Sequence, residues 1–121
     1  QAGFVSRGFS GDQAGLSGLI QKAIAHRGFS LVDVLQPCVT FNPDKSYIWY
    51  RQRIKAVKNP TNDVLTGIKN SLWTENRIAT GVIYQNSRPP FHDNFPQLRT
   101  ETLLAAPGKK RNIKKLLKEF N

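Results

Sequence analysis

Cys38 is the one cysteine in 121 residues, and it follows Pro37 directly after the dense apolar run Leu31-Val32-Asp33-Val34-Leu35. A single thiol cannot build a metal site alone. It can complete one whose other ligands lie elsewhere, and the end of a parallel strand is where such sites gather. Pro37 removes an amide hydrogen and stiffens the chain just before the sulfur. A lone cysteine can equally be a small buried hydrophobe, and residue types leave both readings open. The two histidines add little. His26 falls in the last turn of a predicted helix, where the helix dipole favours a cation and capping or solvation is expected. His92 sits beside Asp93 in a proline-rich stretch with no second ligand at metal spacing. Gly8-Phe9-Ser10-Gly11 is not a spaced nucleophile elbow, and Gly15 and Gly18 are not followed by the residues of a phosphate-cradling loop. No catalytic residue and no cofactor-binding residue is therefore assigned, and Cys38 stands as the one candidate metal ligand. Tyr47, Trp49, Tyr50, Arg51 and Arg53 could stack nucleobases. Their helical spacing predicts instead aromatics packed inward and arginines facing water or a neighbouring chain.

The elements that must position Cys38 read as α/β. Phe4-Val5-Ser6-Arg7 predicts a short strand, and Asp12 a helix N-cap. Leu16, Leu19, Ile20, Ala23 and Ile24 recur at helical spacing. Gly28 is placed for a left-handed C-terminal cap. Leu31 to Leu35 reads as a strand buried on both faces, as in a parallel sheet. Strand, helix and strand together make a right-handed βαβ unit. After the turn Asn42-Pro43-Asp44-Lys45, Asp44 or Ser46 should cap a helix carrying Tyr47, Tyr50, Ile54 and Val57 as far as about Lys58, before Asn59-Pro60 breaks it. Val64, Leu65, Ile68 and Leu72 predict another helix, with Gly67 as a potential break. Thr80 to Tyr84 reads as an edge or appended strand, and residues 85 to 100 as irregular. Lys109 to Phe120 could form an amphipathic helix.

Composition bounds the class. One small domain, or part of a larger one, fits this length. With 39% hydrophobic and 10% aromatic residues the chain can build a core. No apolar run approaches the roughly 20 residues that span a membrane, so no membrane partner is expected. One cysteine excludes an internal disulfide and fits a reducing, cytoplasmic setting. The chain begins with Gln1 and holds no methionine, which is expected of a truncated or processed product. The net charge of +10 is concentrated in Lys109, Lys110, Arg111, Lys114, Lys115 and Lys118. It favours acidic partners without selecting among them.

Several segments together carry a resemblance. Arg7-Gly8-Phe9-Ser10-Gly11-Asp12, His26-Arg27-Gly28-Phe29-Ser30, Gln36-Pro37-Cys38-Val39-Thr40-Phe41-Asn42, Thr80-Gly81-Val82-Ile83-Tyr84 and Arg88-Pro89-Pro90 occur in order. This wording resembles the C-terminal part of the beta subunit of 2-oxoacid:ferredoxin oxidoreductases, the 2-oxoglutarate-type branch in particular. The resemblance implies a fold in which residues 1–42 close the thiamine-diphosphate-binding module, 43–107 form the family's C-terminal extension and 108–121 are a basic tail. It implies an oxidoreductase that decarboxylates a 2-oxoacid oxidatively, passes the acyl group to coenzyme A and sends electrons through an iron–sulfur cluster to ferredoxin. Cys38 would be the fourth thiolate of a 4Fe–4S cluster, the other three lying upstream. Thiamine diphosphate (thiamine pyrophosphate) and Mg2+ would be held through a Gly-Asp-Gly motif, which this chain lacks; Gly11-Asp12-Gln13 is the nearest string. The implied assembly is a heteromer containing the upstream half of the beta subunit and an alpha, or alpha and gamma, subunit. This chain alone should be inactive. The competing class is a small basic nucleic-acid-binding or docking protein acting through its tail. Nucleic acid is the lesser expectation, because the ordered match spans about residues 3 to 90.

Overall fold

The computed structural model describes residues 2–99, 102, 104, 105, 114, 117 and 118. Two compact units divide the chain, Gln1–Pro90 and Phe91–Asn121. The first holds a four-stranded sheet and three helices: β1 (Phe4–Phe9), α1 (Gln13–Ala25), β2 (Ser30–Leu35), α2 (Tyr47–Arg53), β3 (Ile54–Ala56), α3 (Val64–Ser71) and β4 (Ile78–Gln85). The second holds short 3-10 turns at Phe91–Asn94 and Pro96–Leu98, with the Phe91 and Phe95 rings edge to face at 5.0 Å. Most of the amphipathic helix expected over 109–120 lies outside the described residues.

β1 and β2 pair in parallel from Phe4↔Ser30 to Phe9↔Leu35, with α1 as their crossover. The βαβ unit expected from the sequence is thus present. α1 starts as its first residues dictate: the Asp12 carboxylate accepts from the Gly15 amide at 3.0 Å, satisfying one of the amides that an N-terminus leaves unpaired. Its other end differs from expectation. His26 is the C-terminal cap, its amide bonded to the Lys22 carbonyl, and Gly28 adopts φ +128° two residues further on, in the connection to β2.

The strand order is β2-β1-β4-β3, which corrects three expectations. Leu31 to Leu35 is not buried on both faces, because β2 lies at an edge of the sheet. Leu31 is 49% exposed and Val34 42%, and only Leu35 of this run is buried. β4, expected at an edge, occupies the centre, antiparallel to β1 and parallel to β3. It can do so because Ile78, Ala79, Ile83 and Tyr84 are all buried. The strand also carries Gly81, whose φ of +102° is closed to most side chains. The β1–β4 register shifts between Val5 and Ser6, so that Ser6 faces Val82 while Val5 faces Tyr84. The third correction concerns α2, which stops at Arg53 and not near Lys58. Ile54, Lys55 and Ala56 turn into extended backbone and pair with Ile78, Ala79 and Thr80. β-branched Ile54 fits that pleated position better than a helical one, and the exposed backbone of β4 supplies the partner. Gly67 does not break α3. It lies buried inside the helix, with Tyr84 and Thr61 as its neighbours.

Phe9, Leu35, Tyr50 and Ile78 form the core cluster, with Trp49 and Ile54 packed against it. Ile78 has no accessible surface. Replacing it with alanine should therefore cost about 3 kcal/mol, the usual range for emptying a core aliphatic site. An unchanged urea midpoint in Ile78→Ala would contradict this packing. A second expectation concerns acid. The Thr66 side chain and amide both donate to the Asp63 carboxylate at the start of α3, the amide at 2.7 Å, and Lys69 adds attraction. These contacts hold Asp63 below its ordinary value of 3.8. A carboxylate depressed on folding contributes stability above its unfolded pKa and loses it as pH falls through the folded one. Wild type should accordingly lose stability more steeply than Asp63→Asn as pH falls below about 4, read from denaturant midpoints against pH. Parallel profiles would show that the cap carries no such contribution.

Candidate functional site

The parallel strands deliver their carboxyl ends to one place. From Leu35 the chain runs through Gln36 to buried Pro37, and Cys38 emerges exposed. Within this chain Cys38 is thus not a packed core residue. Two turns follow. The Asn42 amide donates to the Cys38 carbonyl at 2.9 Å and the Lys45 amide to the Asn42 carbonyl at 3.2 Å. Ser46, one of the two caps expected, then accepts from the Trp49 amide at 3.4 Å and opens α2. The Cys38 backbone is thus held between Pro37 and a hydrogen-bonded turn.

The wall beside this loop is aromatic. Phe9 stacks on Tyr50 at 5.7 Å and meets Tyr47 at 5.8 Å, while Trp49 and Trp73 each lie edge-on to Tyr50. The inward packing expected of these rings holds for Tyr50 and in part for Trp49, whereas Tyr47 is exposed. The Arg53 guanidinium lies over the Trp49 ring at 4.2 Å and the Lys45 ammonium at 5.5 Å. Arg53 also donates to the carbonyls of Glu75 and Trp49, and Arg51 to that of Gly11. These bonds tie α2 to the β1–α1 turn and to the approach to β4.

One residue pair escaped the sequence reading. The Arg7 Nε atom meets the Asp33 carboxylate at 2.6 Å, its Nη1 donates to the Ser71 carbonyl at 2.8 Å, and the guanidinium lies 5.8 Å from the Trp73 ring. Arg7 and Asp33 are directly opposite in the parallel register. A charged residue of each sign within two neighbouring apolar strands was the available signal. Their role is to pin β2 to β1 and to the end of α3, just behind the strand ends.

What this arrangement can do follows from its donor set. An exposed thiolate can ligate iron, but a cluster takes four such ligands. Among the described residues no group of three or more histidine, cysteine or acidic side chains could hold a metal ion. Cys38 supplies one thiol and belongs to no such group among the described residues. His26 is remote in role: its ring packs against Phe4 at 5.7 Å, with Nε2 buried against Gly3. His92 contacts Asp93 at 3.3 Å. A cavity of about 180 Å3 lies under α3, lined by Val5, Ile68, Ile83 and Tyr84. Another, of about 530 Å3, is lined by Phe4, Leu19, Lys22, His26 and Lys58. Neither includes Cys38. No helix among the described residues is long and apolar enough to cross a membrane.

Comparison with known proteins gives this geometry a context. The family defined by the C-terminal region of the pyruvate ferredoxin oxidoreductase beta subunit matches residues 38–100, so its region opens on the cysteine itself. A 2-oxoacid:ferredoxin oxidoreductase subunit beta from Sulfolobus sp is 34% identical over 125 residues, covering 93% of this chain and 41% of the relative. The corresponding subunit from Saccharolobus solfataricus is 33% identical over 96 residues, covering 69% of this chain and 32% of the relative. Among solved structures, the 2-oxoglutarate:ferredoxin oxidoreductase from Magnetococcus marinus, with 2-oxoglutarate, coenzyme A and succinyl-CoA bound, superposes with a TM-score of 0.74 at 25% identity. That likeness covers 96% of this chain and 40% of the other. The chain spans about two fifths or less of the length of these relatives. On the family match over more than half its residues, the chain belongs to the 2-oxoacid:ferredoxin oxidoreductase beta-subunit family, within the carboxy-terminal region of that subunit.

Proposed function

We propose that this chain is the carboxy-terminal part of a beta subunit in a 2-oxoacid:ferredoxin oxidoreductase, and that Cys38 is one of four thiolates on a 4Fe–4S cluster. The complete assembly would oxidise and decarboxylate a 2-oxoacid, form the acyl-coenzyme A and reduce ferredoxin. The observation that carries the site assignment is the placement of an exposed cysteine at the carboxyl end of a parallel strand pair, fixed by Pro37 and a backbone turn. A cluster bound there would supply one-electron transfer. The chain's own part is to present one sulfur at the end of the strand pair. Residues for thiamine diphosphate do not fit this segment. It has no Gly-Asp-Gly, and the nearest acidic side chain, Asp12, is committed to capping α1. That cofactor and its Mg2+ would belong to the upstream half of the subunit.

The same reading accounts for the open side of β2. Leu31 and Val34 are half exposed and Phe41, in the loop that follows, is 91% exposed. An apolar edge strand of this kind fits a neighbour supplied by the upstream half or by an alpha, or alpha and gamma, subunit. A cytoplasmic heteromer follows from this reading.

The test is iron and acid-labile sulfide in native material purified anaerobically with every chain that copurifies, for wild type and Cys38→Ser. Iron and sulfide in the wild type, falling by more than half in Cys38→Ser while the subunits still copurify, are expected. Equal iron in the two proteins, or none in wild type with the upstream half present, would sink the assignment.

A further inference from the structure

Between Lys45 and Lys58 the chain carries five basic residues, Lys45, Arg51, Arg53, Lys55 and Lys58, and no acidic one. The basic tail is therefore not the chain's single run of cations. Two of these cations converge on the half-buried indole of Trp49, the Arg53 guanidinium at 4.2 Å and the Lys45 ammonium at 5.5 Å. Both distances are within cation–π range. Among the described residues, the side-chain partners of Lys45, Arg51 and Arg53 are this ring and backbone carbonyls, with no carboxylate. Among the described residues no carboxylate is ion-paired with them, although Asp44 adjoins Lys45 in sequence. Tryptophan and arginine at the centre of a charged rim are also the residue types that dominate binding energy at protein interfaces.

The position matters as much as the charge. Cys38 and Lys45 are joined by two consecutive hydrogen-bonded turns, Asn42 to Cys38 and Lys45 to Asn42. A protein seated over Trp49 would approach the loop that carries the thiol, and electron transfer falls off steeply with distance. Resting on the function proposed above, we propose that Lys45, Trp49 and Arg53 form the docking point for a small acidic iron–sulfur protein, the ferredoxin that collects the electrons. A nucleobase is a poorer occupant, because Arg53 already covers a face of the indole that stacking would need. Complementary charge at such a rim acts mainly on encounter rate and salt dependence.

The experiment uses the complete complex, with ferredoxin and, separately, methyl viologen as acceptors. Methyl viologen is small and needs no protein docking surface. Lys45→Glu and Lys45→Gln are compared with Lys22→Glu, a charge-matched change on α1. The KM for ferredoxin should rise about tenfold at low salt in Lys45→Glu and less in Lys45→Gln. Viologen reduction and Lys22→Glu should stay at wild-type levels. The difference should fade as salt is raised to about 0.5 M. An unchanged ferredoxin KM in both Lys45 variants, or an equal rise in Lys22→Glu, overturns the proposal. It is also overturned if the Lys45 variants lose a partner subunit, or lose salt-sensitive nucleic-acid binding that wild type shows. If wild type reduces no acceptor with any 2-oxoacid, the function proposed above fails first, an outcome distinct from normal viologen activity with unaltered ferredoxin kinetics.

Discussion

Phe9, Leu35, Tyr50 and Ile78 meet near the carboxyl ends of β1 and β2, and the arrangement around Cys38 depends on that contact. The four residues come from β1, β2, α2 and β4, so one cluster closes loops of very different length. Burial of each large side chain contributes on the order of 2 kcal/mol, which must offset the ordering of those loops. α2 shows the dependence clearly. A helix of seven residues is not stable alone in water, so its place is set by Tyr50 in the core and by Arg51 and Arg53 on distant carbonyls. The loop from Cys38 ends where α2 begins. The contact that seats Tyr50 therefore also fixes the far end of the segment that presents the thiol.

The sheet is polarised by the same logic. β4 gathers the buried residues Ile78, Ala79, Ile83 and Tyr84 and takes the centre, while β2, the strand with the most apolar run, is left at an edge. A chain that folded for itself alone would place its most apolar strand inside. The inversion leaves one edge of β2 open, in a chain whose relatives are more than twice its length. Arg7 and Asp33 hold β2 on its inner side regardless of that neighbour.

Local signals were read well where local chemistry decides the outcome. Asp12, Ser46 and the β1-α1-β2 order depend on caps and periodicity within a few residues. The misreadings share another cause. Ile54 and Val57 continue the helical spacing of Tyr47 and Tyr50, yet Ile54 leaves the helix because β4 offers hydrogen bonds from twenty-odd residues away. The position of β4 was hidden for the same reason, since pairing order is a property of the sheet and not of any segment in it. Burial of β2 was misjudged because an apolar run states what a strand could face, not what these residues supply. In the site, Cys38 was legible from Pro-Cys after a strand. The Arg7–Asp33 pair was not, because opposite charges in two strands signify a contact only once the register is known.

Exposure of Cys38 narrows its chemistry further than sequence allowed. A structural cysteine gains by burial, whereas Cys38 is exposed, as the shared ligand proposed above would need to be. Four thiolates on a 4Fe–4S cluster leave the site anionic, and the potential of such a cluster responds to neighbouring charge, hydrogen bonding and solvent. Past Asp44, the chain that leaves Cys38 enters a segment, Lys45 to Lys58, with five cations and no carboxylate. That charge would favour the reduced, more negative state of a cluster and attract an acidic carrier by the same field.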